Sequence, residues 1–309
     1  MNPPVPNNAH DPEFLGSLKA QVLALRRGHS LREVAAQTGL PLGTVKTICA
    51  RSGAFKDNPR HRELFTLPEV QASTGTALAA PMLPPESPVT GDKEIDAVLW
   101  LREVIKTGRA DLIEKAMEAA KRIKTPLKDL ERRYLDHLTA RNPGNWTVAF
   151  QTFGFADLEV LAQGATKKLT RKNEALARFG TLDGLFTDTP AEQFAIDALK
   201  GLKPSKDFGD FDAGQVDKRF QAHPDLMPNT LSDCLHELAY WHELYWLRSA
   251  CGGGDQGREA YARECFAFRC LARIRPKTKP EAIAVFRYLA DSERMDDTET
   301  ESILLNLIG

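Results

Sequence analysis

The sequence lacks any long apolar run. None of its segments approaches the roughly 20 consecutive apolar residues that a membrane-spanning helix needs. Residues 1–8 also lack the basic and apolar regions of a secretory signal peptide. We therefore expect a cytoplasmic protein without a membrane partner, and the 27% of charged residues agrees with a globular chain.

Paired cysteines are also missing. The 309 residues contain five cysteines, an odd number, and no Cys-x-x-Cys pair occurs. This pattern argues against a disulfide framework and against a zinc ribbon. We expect reduced, mostly buried thiols at Cys49, Cys234, Cys251, Cys265 and Cys270.

Signatures of catalysis are absent as well. The sequence contains no phosphate-binding loop, no Gly-x-Ser-x-Gly elbow and no kinase motif. His236 and His242 are six residues apart, which places them about 240° apart around a helix, so they cannot share a zinc ion. Gly252–Gly257 fits a dinucleotide fingerprint literally, but it follows a helical segment and is better interpreted as a helix connection. We expect no enzyme, no cofactor and no metal; an enzyme with an unfamiliar helical site stays open as a third class.

Alternating β-branched runs, which predict strands, do not occur, so we expect an all-α protein. Apolar residues recur at spacings of three and four from Ile95 to Ile105 and, after a break at Gly108, from Leu112 to Ile123. Further amphipathic segments follow at about 126–140, 155–179, 190–201, 213–222, 230–250, 257–273, 279–290 and 298–308. One of them carries an aromatic band, Tyr240 to Trp246, which predicts either a central buried helix or a self-association surface.

Positive charge is concentrated near the N-terminus. Residues 15–62 hold nine Lys or Arg and two acids, although the net charge of the whole chain is −1. A local surplus of seven positive charges is typical of a phosphate-binding surface, and equally of an ordinary basic face. At the other end, residues 291–301 are acidic and predict a solvated helix end or, alternatively, a regulatory mimic of DNA.

A proline-rich segment predicts two domains. Residues 71–92 hold four prolines and almost no charge, as linkers do. We therefore expect a flexible tail at 1–13, a helix-turn-helix domain with a basic extension at 14–70, this linker, and an all-helical domain for dimerisation or partner binding at 93–309. The extension, residues 53–70, predicts either a basic arm on DNA or a segment folded back on the first helices through Phe55, Leu64 and Phe65.

The segment Ser30–Ala50 meets the requirements of a helix-turn-helix. Ser30 and Glu33 form a capping box, and Gly39 lies where the turn needs a left-handed backbone. The small and apolar positions of two packed helices follow at the required offsets: Val34, Ala35, Leu40, Val45 and Ile48. Upstream, Leu18, Val22 and Leu25 predict a first helix that Gly28 ends.

Two known families share these residues. Gly39–Thr47 resembles the recognition-helix segment of sigma-factor region 4, and Gly28–Ala35 resembles the support helix of resolvase-type helix-turn-helix domains. The likeness covers residues 14–52 and is specific for the fold; a sigma factor is not expected, because the motif is N-terminal and no promoter-melting domain precedes it.

The resemblance implies double-stranded DNA as the partner. Residues at the start and outer face of the second helix would face the bases in the major groove: Leu42, Gly43, Thr44, Lys46, Thr47 and Ala50. Flanking residues would contact phosphates: Arg26, Arg27, Ser30, Arg32 and Arg51. No Arg, Asn or Gln is available for a bidentate base contact, so one copy should discriminate weakly.

These patterns favour a sequence-specific transcriptional regulator, repressor-like, that acts as a homodimer on half-sites about 10 bp apart. The alternative is a plasmid, phage or mobile-element accessory protein whose helical C-terminal domain carries the activity and whose helix-turn-helix docks it on DNA. A helix-turn-helix used only for protein contact also remains open.

Overall fold

The computed structural model of the chain describes residues 12–53, 55–71, 83–86, 88–204 and 210–308. Within these ranges it contains α-helices and two 3₁₀ helices and no strand, which confirms the all-α prediction. None of the helices in the described ranges is both long and apolar enough to cross a membrane.

Fifteen α-helices lie in the described ranges. They are α1 Pro12–Gly28, α2 Leu31–Thr38, α3 Leu42–Ser52, α4 Pro59–Leu64, α5 Lys93–Lys106, α6 Ala110–Ala120, α7 Leu127–Arg141, α8 Leu158–Phe179, α9 Leu182–Phe186, α10 Pro190–Leu199, α11 Ala213–Gln221, α12 Leu231–Ala250, α13 Arg258–Cys270, α14 Lys279–Asp291 and α15 Thr300–Ile308. The 3₁₀ helices are Trp146–Thr152 and Pro224–Leu226.

The long helices lie where the spacing of apolar residues predicts them, and the break at Gly108 separates α5 from α6. In the described ranges, four short elements lie outside the predicted segments: α4, α9 and the two 3₁₀ helices. Each has only three to seven residues, too few to show a helical period. For α4 a signal exists: Asn58 caps the helix by accepting from the backbone N–H groups of Arg60 and His61, and Pro59 opens it.

The chain forms two compact units. The first comprises residues up to Leu67, then Thr187–Tyr245 and Asp255–Gly309; the second comprises Pro68–Phe186 and Trp246–Gly254. The contacts thus place the N-terminal helices in one unit with later parts of the chain. The domains predicted from the proline-rich segment, 14–70 and 93–309, do not include this grouping. The predicted tail falls mainly on residues 1–11 and the predicted linker mainly on 72–82 and 87, which lie outside the described residues.

The first unit has two apolar cores. A small core joins α1, α2 and α3 through Val22, Val34 and Val45, all fully buried. A larger one lies among α10 to α15, with Phe220, Leu238, Phe266, Leu271, Leu289 and Ile303 among its fully or almost fully buried side chains. The aromatic band of α12 divides: Tyr240, Trp241 and Leu244 are buried, whereas Tyr245 and Trp246 are exposed. The prediction of a central buried helix therefore fits Tyr240, Trp241 and Leu244 but not Tyr245 and Trp246.

The second unit is built on α5 to α8. Ile95 and Val98 of α5 pack with Leu130 and Tyr134 of α7 and with Phe155, and the next turns of α5 pack against α6 and α8. Gly108 lies where α5 ends against α8. Its φ is +74°, and a Cβ there would lie 2.6 Å from the backbone oxygen of Ala165, so only glycine fits.

All five cysteines are free thiols. Cys234 and Cys270 are buried as expected, but Cys49, Cys251 and Cys265 are only half-buried. Burial raises the pKa of the Cys270 thiol to about 12. This thiol is therefore protonated at neutral pH and a poor nucleophile.

Candidate nucleic-acid interface

The start of α2 and the turn between α2 and α3 have the local geometry that the sequence predicts. The Ser30 backbone N–H donates to Glu33 Oε2 at 2.7 Å, and the Glu33 N–H donates to Ser30 Oγ at 3.3 Å, so the capping box is confirmed. The backbone bond from Ser30, and then the one involving its side chain, lower the pKa of the Glu33 carboxyl. Gly39 ends α2 in the left-handed conformation, with φ +69°.

The predicted base-facing residues lie on the outside of α3. Gly43, Thr44, Lys46, Thr47 and Ala50 are exposed and Leu42 is half-buried, whereas Val45 between them is fully buried. Positions 43, 46, 47 and 50 share one face of the helix because they are three and four residues apart. Thr47 donates its hydroxyl to the Gly43 carbonyl at 2.9 Å. The helix has no acidic residue, so nothing on α3 itself repels a phosphate.

The predicted phosphate contacts differ in accessibility. Ser30, Arg32 and Arg51 are exposed. Arg26 is half-buried: it donates to the His29 carbonyl at 2.9 Å and lies over the Phe55 ring, 5.7 Å from its centroid. The side chain of Arg27 lies outside the described part of the chain.

Arg26 also lines a basic cleft that the sequence analysis did not predict. The cleft has a volume of about 230 Å³ and is formed by the end of α1, Phe55, the end of α11, residues 227–229, and the end of α13 with the segment that follows it. Its charged lining residues are Arg26, Arg273, Arg275 and Lys277. Lys277 donates its Nζ to the Phe55 carbonyl, which ties the two parts of the cleft together. The lining holds four cations and no acid, so the electrostatic potential in the cleft favours anions.

The basic extension divides: Phe55 lies against Arg26 of α1, as the folded-back alternative expects, whereas the rest of the extension packs in a way that neither predicted alternative describes. Phe65 is buried, with its ring centroid 5.7 Å from that of Tyr240 and 5.8 Å from that of Trp241 on α12. Asn58 donates its backbone N–H to Asp233 at 2.9 Å and its side-chain amide to the carbonyls of Asp225 and Met227. The segment therefore docks on later helices, because its apolar and polar groups find partners there.

A buried ion pair lies under this docked segment. Arg263 of α13 donates to both carboxylate oxygens of Glu237 on α12, at 2.7 and 2.9 Å, and His61 of α4 lies 2.7 Å from Glu237 Oε2. All three side chains are fully buried. The Arg263 guanidinium is also within 4.9 to 5.5 Å of the centroids of four rings: Phe65, Phe194, Phe220 and Phe266.

A signal for this cluster exists in the sequence. Glu237 lies on the helix face of Cys234, Trp241 and Leu244, and Arg263 lies on the face of Ala267 and Cys270, all of which are buried. An acid on one apolar face and a base on another indicate a buried pair, because neither charge can be buried alone. The local sequence pattern does not specify which two helices pack against each other.

Glu237 should make the protein sensitive to acid. Burial raises its pKa, but the charge of Arg263 and the bond from His61 outweigh that effect and lower the pKa below 4.5. The carboxylate therefore contributes stability that is present above pH 4.5 and is lost as the pH falls through the lower folded pKa. The check is the free energy of unfolding at several pH values from 6.5 to 3.5, in the wild type and in the double variant Glu237→Gln/Arg263→Met. The wild type should lose more stability than the double variant; equal losses would contradict the assignment.

The two histidines considered for zinc have separate surroundings. His236 Nε2 donates to the Arg62 carbonyl at 3.2 Å and lies 3.3 Å from Thr66 Oγ1, while His242 lines a different cleft. In the described ranges, no group of three His, Cys, Asp or Glu side chains is arranged to hold a metal ion.

The acidic segment 291–301 is partly anchored. Arg294 pairs with Glu264 of α13 at 2.6 Å, and Thr300 is buried at the start of α15. This contact connects the segment to α13.

Comparison of the chain with protein families, with curated proteins and with solved structures found no match in any of the three.

Proposed function

We propose that this chain is a sequence-specific transcriptional regulator, repressor-like, that binds double-stranded DNA through the outer face of α3 and acts in the cytoplasm as a homodimer. The observation that carries the proposal is the exposed face of Gly43, Lys46, Thr47 and Ala50 on a helix held by a buried valine core. The helix follows a confirmed capping box and a left-handed glycine. The seven surplus positive charges of residues 15–62 supply the attraction for phosphate.

The chemistry of the face limits what one copy can read. Lys46 can donate to the guanine acceptors O6 and N7, and the threonines can contact thymine methyl groups or donate hydrogen bonds. A homodimer places two copies of α3 on half-sites about 10 bp apart and so doubles this small set of contacts. We therefore expect a two-fold symmetric binding site.

Selection of bound duplexes from a random DNA pool tests the function directly. The enriched motif gives the half-site, and its symmetry gives the arrangement of the two copies. Recovery of no enriched motif would contradict a sequence-specific regulator.

Lys46→Ala combined with Thr47→Ala should abolish sequence preference. The variant is expected to bind the selected duplex and a scrambled duplex with equal affinity, and that residual binding should still weaken with salt, because the phosphate contacts remain. Fluorescence anisotropy with the two duplexes at two or more salt concentrations measures both effects.

Lys56→Ala is the matched control for this double variant. Lys56 is exposed and lies outside α3, so its loss removes one positive charge without altering the exposed face of α3, which we call the reading face. The Lys56→Ala variant should still prefer the selected duplex over the scrambled one. Unchanged preference in the double variant would mean that α3 does not read the bases.

A second candidate function is favoured by an aromatic surface in the second unit. Trp146, Phe150 and Phe153 are 74%, 53% and 67% exposed, and consecutive rings meet edge to face, with centroids 5.4 and 5.2 Å apart. Such surfaces are typical of protein contacts, as in a plasmid, phage or mobile-element accessory protein that only docks on DNA. The selection experiment separates a sequence-specific regulator from a protein that docks on DNA without reading the bases, since only the regulator enriches a motif.

A further inference from the structure

The basic cleft at the end of α1 has a shape and charge that the reading face does not explain. Its cations come from two parts of the chain that are far apart in sequence, Arg26 on one side and Arg273, Arg275 and Lys277 on the other. Folding therefore brings four like charges together, and the Asp217 carboxylate, which pairs with Arg273, offsets only part of their repulsion.

Three of the four cations have structural partners. Arg26 donates to His29, Arg273 pairs with Asp217, and Lys277 donates to Phe55. Arg275 differs: it is exposed, and among the described residues it forms no hydrogen bond or ion pair. Arg275 is thus the cation of the cleft whose guanidinium is available to a ligand, and its planar fork suits a phosphate.

The acids near the cleft are already engaged. Asp217 accepts from both Arg269, at 2.7 Å, and Arg273. Glu281 accepts the backbone N–H of Lys277 at 2.6 Å and caps α14. Glu33 is bonded to Ser30 in the capping box. Each of these carboxylates is therefore bonded to a group other than Arg275.

The cleft also lies beside the start of α2. Arg26 in its lining donates to the carbonyl of His29, the residue before the N-cap Ser30, at 2.9 Å. After the bonds from Ser30, the charges of His29 and Arg275 also lower the pKa of the Glu33 carboxyl. Ser30 and Arg32, two of the predicted phosphate contacts, occupy the same end of α2. A helix N-terminus adds further positive potential there.

We propose that this cleft binds a backbone phosphate of the same DNA duplex, in the flank of the segment that α3 reads, with Arg275 as the contacting residue. The inference rests on the proposed function, since it names a second point of contact for the same partner. The cleft would contribute to affinity and orientation but not to the choice of sequence, because a phosphate carries no base information.

Arg275→Ala tests the proposal through the salt dependence of binding. Loss of one phosphate contact should reduce the slope of log affinity against log salt by about 0.9, which means that the variant loses about 3.5-fold less affinity than the wild type between 50 and 200 mM salt. The motif recovered by selection should be unchanged. Shortening the flanks of the selected duplex should weaken the wild type and leave Arg275→Ala unaffected.

Arg287→Ala is the matched control. Arg287 is an exposed arginine of α14 in the same unit that does not line the cleft, so its loss should alter neither the slope nor the effect of the flanks. If Arg275→Ala behaves like this control while Lys46→Ala/Thr47→Ala loses sequence preference, the cleft proposal is overturned and the proposed function stands. A wild type that binds no DNA overturns both. Displacement by inorganic phosphate at constant ionic strength, without an effect of flank length, would indicate a site for free phosphate and also overturn the proposal.

Discussion

Glu237→Gln is expected to lower the free energy of unfolding by about 3–5 kcal/mol, the usual cost of breaking a buried ion pair by removing one partner. The substitution leaves Arg263 charged and fully buried, with one neutral oxygen in place of a bidentate carboxylate. His61 also loses its charged partner. Chemical denaturation followed by circular dichroism measures the change.

The double variant Glu237→Gln/Arg263→Met separates the charge effect from loss of packing. Methionine fills much of the volume inside the phenylalanine rings without a charge, so the double variant should be more stable than Glu237→Gln alone. Glu118→Gln is the control for an ordinary ion pair, because Glu118 pairs with Lys121 at the surface, and it should cause little change. A Glu237→Gln variant as stable as the wild type would show that the ion pair of Glu237 and Arg263 is not needed for the stability of the fold.

Phe65→Ala is expected to cost about 3–5 kcal/mol, the range for truncating a buried phenylalanine. The ring contacts His61, Tyr240, Trp241 and Arg263, so its loss leaves a cavity beside the buried ion pair. Because Phe65 lies in the segment that docks α4, the backbone amides of residues 60–64 should exchange with solvent faster than in the wild type. Denaturation and hydrogen exchange measure the two effects.

Phe55→Ala is the matched control, since Phe55 belongs to the same segment but is only half-buried. It should cost less than Phe65→Ala and should not change exchange in α4. Phe65→Leu, which retains most of the volume, should recover part of the loss. Equal costs for Phe55→Ala and Phe65→Ala would contradict the docking described for this segment.

The candidate interface was predictable in its local parts. The capping box of Ser30 and Glu33, the left-handed Gly39 and the buried positions Val34 and Val45 are all confirmed. Each depends on residues a few positions apart, whose spacing determines hydrogen bonds and faces within one or two turns. The assignment of the exposed residues of α3 to DNA bases stays a prediction.

The basic cleft was not predictable in the same way. Arg275 and Lys277 belong to a short segment between α13 and α14 that carries no motif, and their charge is unremarkable in the linear sequence. Only the packing of that segment against Phe55 and the end of α1 brings these charges beside Arg26.

The sequence by itself determined an all-helical chain, the approximate limits of its long helices and the geometry of the α2–α3 turn, because helical periodicity, capping and glycine conformation are local properties. Only the tertiary structure decided that α4 docks through Phe65 and His61, that Glu237 meets Arg263, and that four cations share a cleft. His61 and Glu237 are 176 residues apart. The energy of such contacts depends on burial and on neighbours from other helices, and neither quantity can be read from a window of a few residues.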